Sequence, residues 1–301
     1  MNSRILIVGG TGFIGYHVAK KALKKGWKVT SVSLHKPKKY RYLSKVNYLL
    51  LDIANKKKLK KKISSSFNYV VNLGGYVDHS NSKQKSKKIL NSHLVGTMNL
   101  ADIFIKKKIK AFIQIGSSLE YGSAISPQKE NDKCCPKSTY AVSKYLSTIY
   151  LLRLFSLSKF PVTILRLYQA YGPKQDINRF LPNIILGCKK NIEFPCSAGN
   201  QMRDFLFIDD VVSAIFYTLN SKKARGEVIN IGYGKPQKIK KIINQVRILI
   251  GKGKPQFGKI KLRKDEVLRL YPSINKAFKK LKWKPKMSLL KGLKNTIRSY
   301  K

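Results

Sequence analysis

Arg4-Ile5-Leu6-Ile7-Val8-Gly9-Gly10-Thr11-Gly12-Phe13-Ile14-Gly15 is the stretch that decides the fold of this 301-residue chain. Four apolar residues, Ile5 to Val8, are a run short enough for a buried strand, and glycines at 9, 10, 12 and 15 follow at once. A helical pattern then runs from about Phe13 to Lys25. Strand, glycine-rich turn and helix in this order make a phosphate cradle. One glycine permits the tight turn, one lets the backbone approach a diphosphate, and one lets the helix pack on the strand. Gly9, Gly12 and Gly15 fit those roles, and Gly10, Gly12 and Gly15 also satisfy the G-x-G-x-x-G spacing. Free amides and the positive dipole end of the helix would face the phosphates. A dinucleotide is expected here, against Gly9, Gly12, Phe13, Ile14 and Gly15.

Outward from this turn, strand and helix patterns alternate in the way that forces a parallel sheet. Strands are expected at Lys28 to Leu34, Val46 to Leu51, Tyr69 to Leu73, Ala111 to Ile115 and Val162 to Leu167. Helices are expected at Lys56 to Ile63, Lys88 to Lys107 and Thr139 to Lys159. Right-handed crossovers then give a doubly wound α/β sheet with its ligand at the carboxyl ends of the strands. Beyond Pro173 the regularity weakens. A helix near Phe180 to Lys190, a strand and helix at Phe205 to Leu219, a strand at Val228 to Ile231 and three later helices suggest a smaller lobe. The expected division is residues 1–172 for the dinucleotide and 173–301 for a substrate lobe, with 228–250 returning to the first domain.

Sixty-two basic residues against 14 acidic ones give a net charge of +48, which invites a nucleic-acid reading. The lysines are spread from Lys20 to Lys301 in short runs, arginine is scarce, and no basic segment is interleaved with aromatics as a stacking platform. No specific nucleic-acid partner is expected. No run approaches the ~20 apolar residues of a membrane span, and Ile5 to Val8 is too short for a signal peptide core. A soluble, cytoplasmic protein is expected. Cys134, Cys135, Cys188 and Cys196 show no metal-ligand spacing and read as free thiols, so no metal is expected.

Tyr140 and Lys144 are four apart at the start of a helix and therefore share a face. An ammonium one turn from a phenol favours the phenolate and is expected to lower its pKa from about 10 toward working pH. Ser117 and Ser118 follow the strand Ala111 to Ile115 and can offer a hydroxyl to the same substrate oxygen. With the glycine-rich turn, this set points to proton and hydride transfer.

The chain resembles the extended short-chain dehydrogenase/reductases, and within them the NAD-dependent epimerase/dehydratase group acting on nucleotide sugars. The motifs carrying the resemblance span nearly the whole chain: Gly9 to Gly15, Leu51-Asp52-Ile53, Gly116 to Gly122, Tyr140 to Lys144, Arg166 to Pro173, Arg203-Asp204-Phe205, Arg263 to Glu266 and Leu281 to Pro285. The resemblance implies a Rossmann doubly wound parallel sheet with a smaller C-terminal α/β substrate-binding lobe. It implies Tyr140 as the proton-transfer residue, Lys144 on the nicotinamide ribose, Ser117 as the catalytic hydroxyl with Ser118 beside it, and Asp52 and Ile53 at the adenine. It places Arg203 and Arg263 on a sugar-nucleotide diphosphate, with Asp265 or Glu266 near its ribose and Gln169 at the sugar. A homodimer is expected of the group. His93 stands where the family usually has asparagine; a proton-relay role is open to it, but helix packing is the commoner case, and His93 is left outside the site. Tyr76 to His79 could face the nicotinamide or form a plain loop.

Family dehydratases carry an acidic residue two positions after the catalytic Ser/Thr, and fucose-synthase-like epimerases a cysteine just after it. Leu119 disfavours both. The expected reaction is hydride transfer at a hexose carbon, C4 in the family, leaving 4-epimerisation and reduction of a 4-keto-6-deoxy sugar both open. A catalytically silent dinucleotide-binding regulator is the alternative from another class, and the intact Ser117, Tyr140 and Lys144 set speaks against it. Ser33 stands where an acid would select NAD, with Lys36, Lys38 and Lys39 just beyond. The cofactor expectation is accordingly NAD(P) with a lean toward NADP(H) and, with it, toward a reductase.

Overall fold

The computed structural model describes residues 3–63, 65–75, 83–262 and 266–300. Seven parallel strands form its central sheet: β1 (Arg4–Val8), β2 (Lys28–Ser33), β3 (Val46–Leu50), β4 (Tyr69–Asn72), β5 (Ala111–Ser117), β6 (Val162–Leu167) and β7 (Val228–Ile231). Their spatial order is β7-β6-β5-β4-β1-β2-β3, with the reversal between β1 and β4. Register pairs Val8 with Val32 on one side and with Asn72 on the other. Such a reversal opens a crevice at the carboxyl ends of the strands, where α/β proteins bind ligands.

Alternation along β1 builds the two layers. Ile5 and Ile7 join a core with Val18, Ala19 and Ala22 of α1 (Phe13–Lys24). Leu6 and Val8 turn to the other face, onto a core shared with Leu59 of α2 (Lys56–Lys62). The single helix expected over Lys88 to Lys107 is instead three pieces: α3 (Lys83–Leu90), a π-helical turn (Asn91–Val95) and α4 (Gly96–Phe104). The π turn holds one residue more than an α turn, so Leu100, Ala101 and Phe104 still face the sheet while His93 is redirected. α5 (Thr139–Ser158) covers the same face, started by Ser138, whose hydroxyl accepts from Ala141 N–H at 3.2 Å.

Past β6 the chain builds short strand pairs: Gln169–Tyr171 with Phe205–Phe207, and Met202–Arg203 between Gln237–Lys238 and Arg269–Leu270. Helices α6 (Phe180–Lys189), α7 (Ile208–Asn220), α8 (Ile239–Ile250), α9 (Asn275–Leu281) and α10 (Leu289–Ser299) pack around them. Two buried carboxylates pin these segments. Asp204 accepts from Tyr233 and Gly234 N–H at 2.6 Å each, and Asp210 from Lys286 and Met287 N–H at 3.0 and 2.9 Å. No helix among the described residues is long and apolar enough to cross a membrane. The four cysteines are free thiols, and the described residues hold no His/Cys/Asp/Glu cluster fit for a metal.

Candidate active site

A cleft of about 1080 Å³ runs from the glycine-rich turn, past the ends of β4 and β5, to the C-terminal segments. At one end lie Gly9, Gly12, Phe13, Ile14 and Gly15. Gly9 holds φ +77, a conformation open to glycine, and a Cβ on Gly15 would stand 2.2 Å from the Gly9 carbonyl. Helix and turn are therefore in backbone contact. Gly12 caps α1 without a side-chain acceptor, which leaves the first-turn amides available to an anion. This cradle fits a dinucleotide diphosphate.

Ser117 ends β5, and its hydroxyl accepts from Leu119 N–H at 3.2 Å to start a short 3₁₀ turn, Ser118–Tyr121. Tyr140 stands in the first turn of α5, with a hydrogen bond from Ser117 to its phenol. Lys144, one turn on, donates from Nζ to the Ile115 carbonyl at 2.8 Å, with Nζ 6.0 Å from the Tyr140 ring centre. The three residues expected from sequence thus meet at one point of the cleft.

The electrostatics correct one expectation. Burial pushes the Tyr140 phenol up to about 12, while the Ser117 hydrogen bond and the more distant Arg179 cation pull the other way. Burial also pushes Lys144 down to about 8. Desolvation disfavours the charged form of both groups, and with its ammonium spent on a carbonyl, Lys144 does not produce the lowered phenol pKa that spacing alone suggests.

Glu120 holds the serine in place, a role that sequence reasoning did not assign. Its fully buried carboxylate accepts from Ser117 N–H at 2.7 Å, Thr148 Oγ1 at 2.9 Å and Arg166 Nε at 2.9 Å. Burial works against the Arg166 charge, and Glu120 together with Tyr121 and Cys134 outweighs it, keeping the guanidinium above its ordinary pKa. Arg166 also lies over the Tyr121 ring at 4.4 Å, and the Tyr121 hydroxyl donates to Asn230 Oδ1 at 2.8 Å.

The remaining expected residues divide. Ser118, Gln169, Arg203 and Glu266 line the cleft. Arg203, expected on a diphosphate, is ion-paired with Glu266, the residue expected at the ribose. Ser33 is buried at the end of β2 and its hydroxyl accepts from Thr11 N–H at 3.3 Å, so it abuts the glycine-rich turn. Asp52 lines a separate cavity of about 500 Å³ with Leu34, Lys85, Lys87 and Lys88. Ile53, expected at the adenine, follows Asp52 directly. It is buried in the core with Val8 and packs on Gly96, where a Cβ would lie 2.5 Å from its Cγ1. Arg263, Asp265 and Tyr76 to His79 lie outside the described residues.

Two further residues join the site that sequence reading left out. His93, assigned to helix packing, lines the cleft and meets the Tyr140 ring edge-on at 5.0 Å between centroids. Arg179, at the start of α6, lines the cleft on the C-terminal side. The signal for both was their rarity: the chain has four histidines and few arginines.

A dinucleotide cradle and a Ser–Tyr–Lys acid–base group in one cleft define the class: a dinucleotide-binding α/β protein equipped for proton and hydride transfer. The comparisons agree. The sequence model of the NAD dependent epimerase/dehydratase family matches residues 5–232, and the chain belongs to that family. A UDP-glucuronate 4-epimerase of Thermodesulfobacterium geofontis is 30% identical over 311 residues, covering 97% of this chain and 94% of the relative. Among solved structures, the UDP-glucose 4-epimerase of Thermotoga maritima with UDP-glucose superposes with a TM-score of 0.92 at 26% identity, over 98% of each chain. The UDP-glucuronic acid 4-epimerase of Bacillus cereus, in complex with UDP-glucuronic acid and NAD, superposes with a TM-score of 0.89 at 26% identity, again over 98% of each chain.

Proposed function

We propose that this protein is a nicotinamide-dinucleotide-dependent 4-epimerase of a nucleoside-diphosphate hexose. The observation carrying this reading is the commitment of Glu120. Dehydration needs a second acid beside the catalytic serine, position 119 is leucine, and the carboxylate of Glu120 is consumed by Ser117 N–H, Thr148 and Arg166. Ser117, Tyr140 and Lys144 are then the groups left for chemistry, and they suffice for oxidation and reduction at one carbinol carbon.

In the forward half-reaction Tyr140, as phenolate, takes the proton of the sugar 4-hydroxyl while Ser117 donates a hydrogen bond to the oxygen becoming a carbonyl. In the return half-reaction Tyr140 gives the proton back. A dinucleotide held against Gly9, Gly12 and Gly15 would supply the acceptor and donor of the C4 hydride. Arg179 is the cation that favours the ionised phenol, and Lys144, held at the Ile115 carbonyl, would hold the nicotinamide ribose. Arg203 grips the diphosphate, and binding therefore exchanges its Glu266 partner for phosphate oxygens, releasing Glu266 to the nucleoside ribose. Residues 1–172, with β7, hold the dinucleotide and the C-terminal segments hold the sugar.

One observation favours a second reading, reduction of a 4-keto sugar by soluble NADPH. Ser33 rather than an acid ends β2, and Lys85, Lys87 and Lys88 line the cavity just beyond it. The lysines of that separate cavity outnumber its one acid, Asp52, and suit a 2′-phosphate, so affinity for NADP(H) is part of the proposal. A homodimer is supported by exposed Val95, Met98, Leu146 and Ile149 on the mutually packed π turn, α4 and α5, and light scattering checks it.

The deciding experiment incubates purified protein with UDP-glucose, and separately with UDP-glucuronate, without added nicotinamide, and follows the sugar by proton NMR. The 4-epimer is expected, together with one dinucleotide per chain released on denaturation. Turnover only of a 4-keto sugar with consumption of NADPH would instead establish the reductase.

A further inference from the structure

We propose that His93 positions the Tyr140 phenol for proton transfer, as one member of a stack Gly75–His93–Tyr140; the inference rests on the reading of Tyr140 as acid and base. His93 is the central residue of the π turn Asn91–Val95, and single π turns inside helices occur mostly at functional sites. It is 2% exposed and yet lines the catalytic cleft.

The imidazole is held from two sides. Its plane stands at 85° to the Tyr140 ring with 5.0 Å between centroids, the edge-to-face arrangement that aromatic quadrupoles favour. On the other side lies Gly75, where a Cβ would fall 1.8 Å from Cε1 and 2.1 Å from Nδ1 of His93. Any side chain at position 75 would evict the ring. Gly75 also holds φ +137, which other residues rarely adopt.

The turn is tied to the helix that carries Tyr140. Ser147, fully buried on α5, shares its one hydroxyl proton between the Ser143 carbonyl at 2.7 Å and the His93 carbonyl at 3.1 Å. Backbone and ring of His93 are thereby fixed relative to α5. Ser117 orients the hydroxyl end of Tyr140 and His93 orients its ring. Loss of the imidazole frees the phenol to turn away from Ser117, and with that hydrogen bond goes one of the two influences that pull its pKa down. His93 touches neither the sugar oxygen nor the transferred proton in this account, and acts through Tyr140.

The test measures kcat, KM, the pH dependence of kcat and the melting temperature for His93→Leu and His93→Phe, with UDP-glucose or UDP-glucuronate as the probe. Misplacing a reacting group by ~1 Å costs up to ~100-fold, so His93→Leu is expected to lower kcat about tenfold or more, leave KM within about twofold, and move the Tyr140 limb to higher pH. His93→Phe keeps a ring with an edge and is expected to recover most of kcat. If His93→Leu does not fold, His93→Ala is read by the same criteria. A kcat within twofold of wild type, or a loss shared by kcat, KM and melting temperature with the pH limb unmoved, overturns the inference. Tyr140→Phe run alongside separates the two readings: if it stays active the acid–base reading fails, and if it is inactive while His93→Leu is unaffected only the present inference fails.

Discussion

Glu120→Gln perturbs the support of Ser117 at a single group. The native carboxylate is fully buried and receives Ser117 N–H, Thr148 Oγ1 and Arg166 Nε, all within 2.9 Å. A glutamine amide keeps one accepting oxygen and must turn its NH₂ toward at least one of those donors. It also leaves the Arg166 guanidinium, 3% exposed, without its counter-charge. Breaking one partner of a buried ion pair costs about 3–5 kcal/mol. For 301 residues at ~2.1 cal/mol/K each, the unfolding entropy is about 0.6 kcal/mol/K, so the melting temperature is expected to fall by about 5–8 °C. Circular dichroism during a slow thermal scan at pH 7 reads this directly. A variant melting within 2 °C of wild type on that scale, roughly a third of the expected fall, would refute the reasoning, because it would mean the pair is solvated or uncharged.

Four other outcomes follow from the site. Tyr140→Phe removes one hydroxyl and little binding surface, so turnover should fall by ~10²-fold or more while dinucleotide affinity by fluorescence titration stays within a few-fold. Lys144, held by burial at about 8, loses its charge as pH rises through that value, and kcat should show an alkaline limb near pH 8 that a limb above pH 10 would contradict. The same lowered pKa means that the native state binds this proton less tightly than the unfolded chain, so the contribution of Lys144 to stability rises from about pH 8 toward 10.5. Ser33→Asp places a carboxylate at the end of β2 and should reverse an NADPH-over-NADH order of dissociation constants; an unchanged order would locate cofactor choice elsewhere.

The phosphate cradle was legible because its glycines are demanded by backbone approach, a requirement written in spacing alone. Ser117, Tyr140 and Lys144 were legible for a related reason: a strand end and a helix turn fix their separation. What sequence could not carry is set by tertiary contact. The Tyr140 pKa depends on burial and on Lys144 being occupied by the Ile115 carbonyl, neither of which one helical turn reveals. The π turn at Asn91–Val95 leaves the apolar pattern on either side intact, so the segment reads as one helix and His93 as a packing residue. Ile53 is part of a family motif, yet its side chain fills the space left by Gly96. Glu120 became the partner of Arg166 through the pairing of β5 with β6, which sets Gly116 opposite Arg166.

In the proposed reaction hydride leaves C4 of the sugar and returns to the same carbon, with Tyr140 handling the oxygen's proton. Its most direct test is the fate of deuterium at C4. UDP-[4-²H]glucose, or the glucuronate equivalent, is converted by purified protein without added nicotinamide, and the 4-epimer is analysed by mass spectrometry and proton NMR. Full retention of deuterium at C4 is the predicted result. Deuterium lost to solvent, or product formed only when NADPH is supplied, would contradict it.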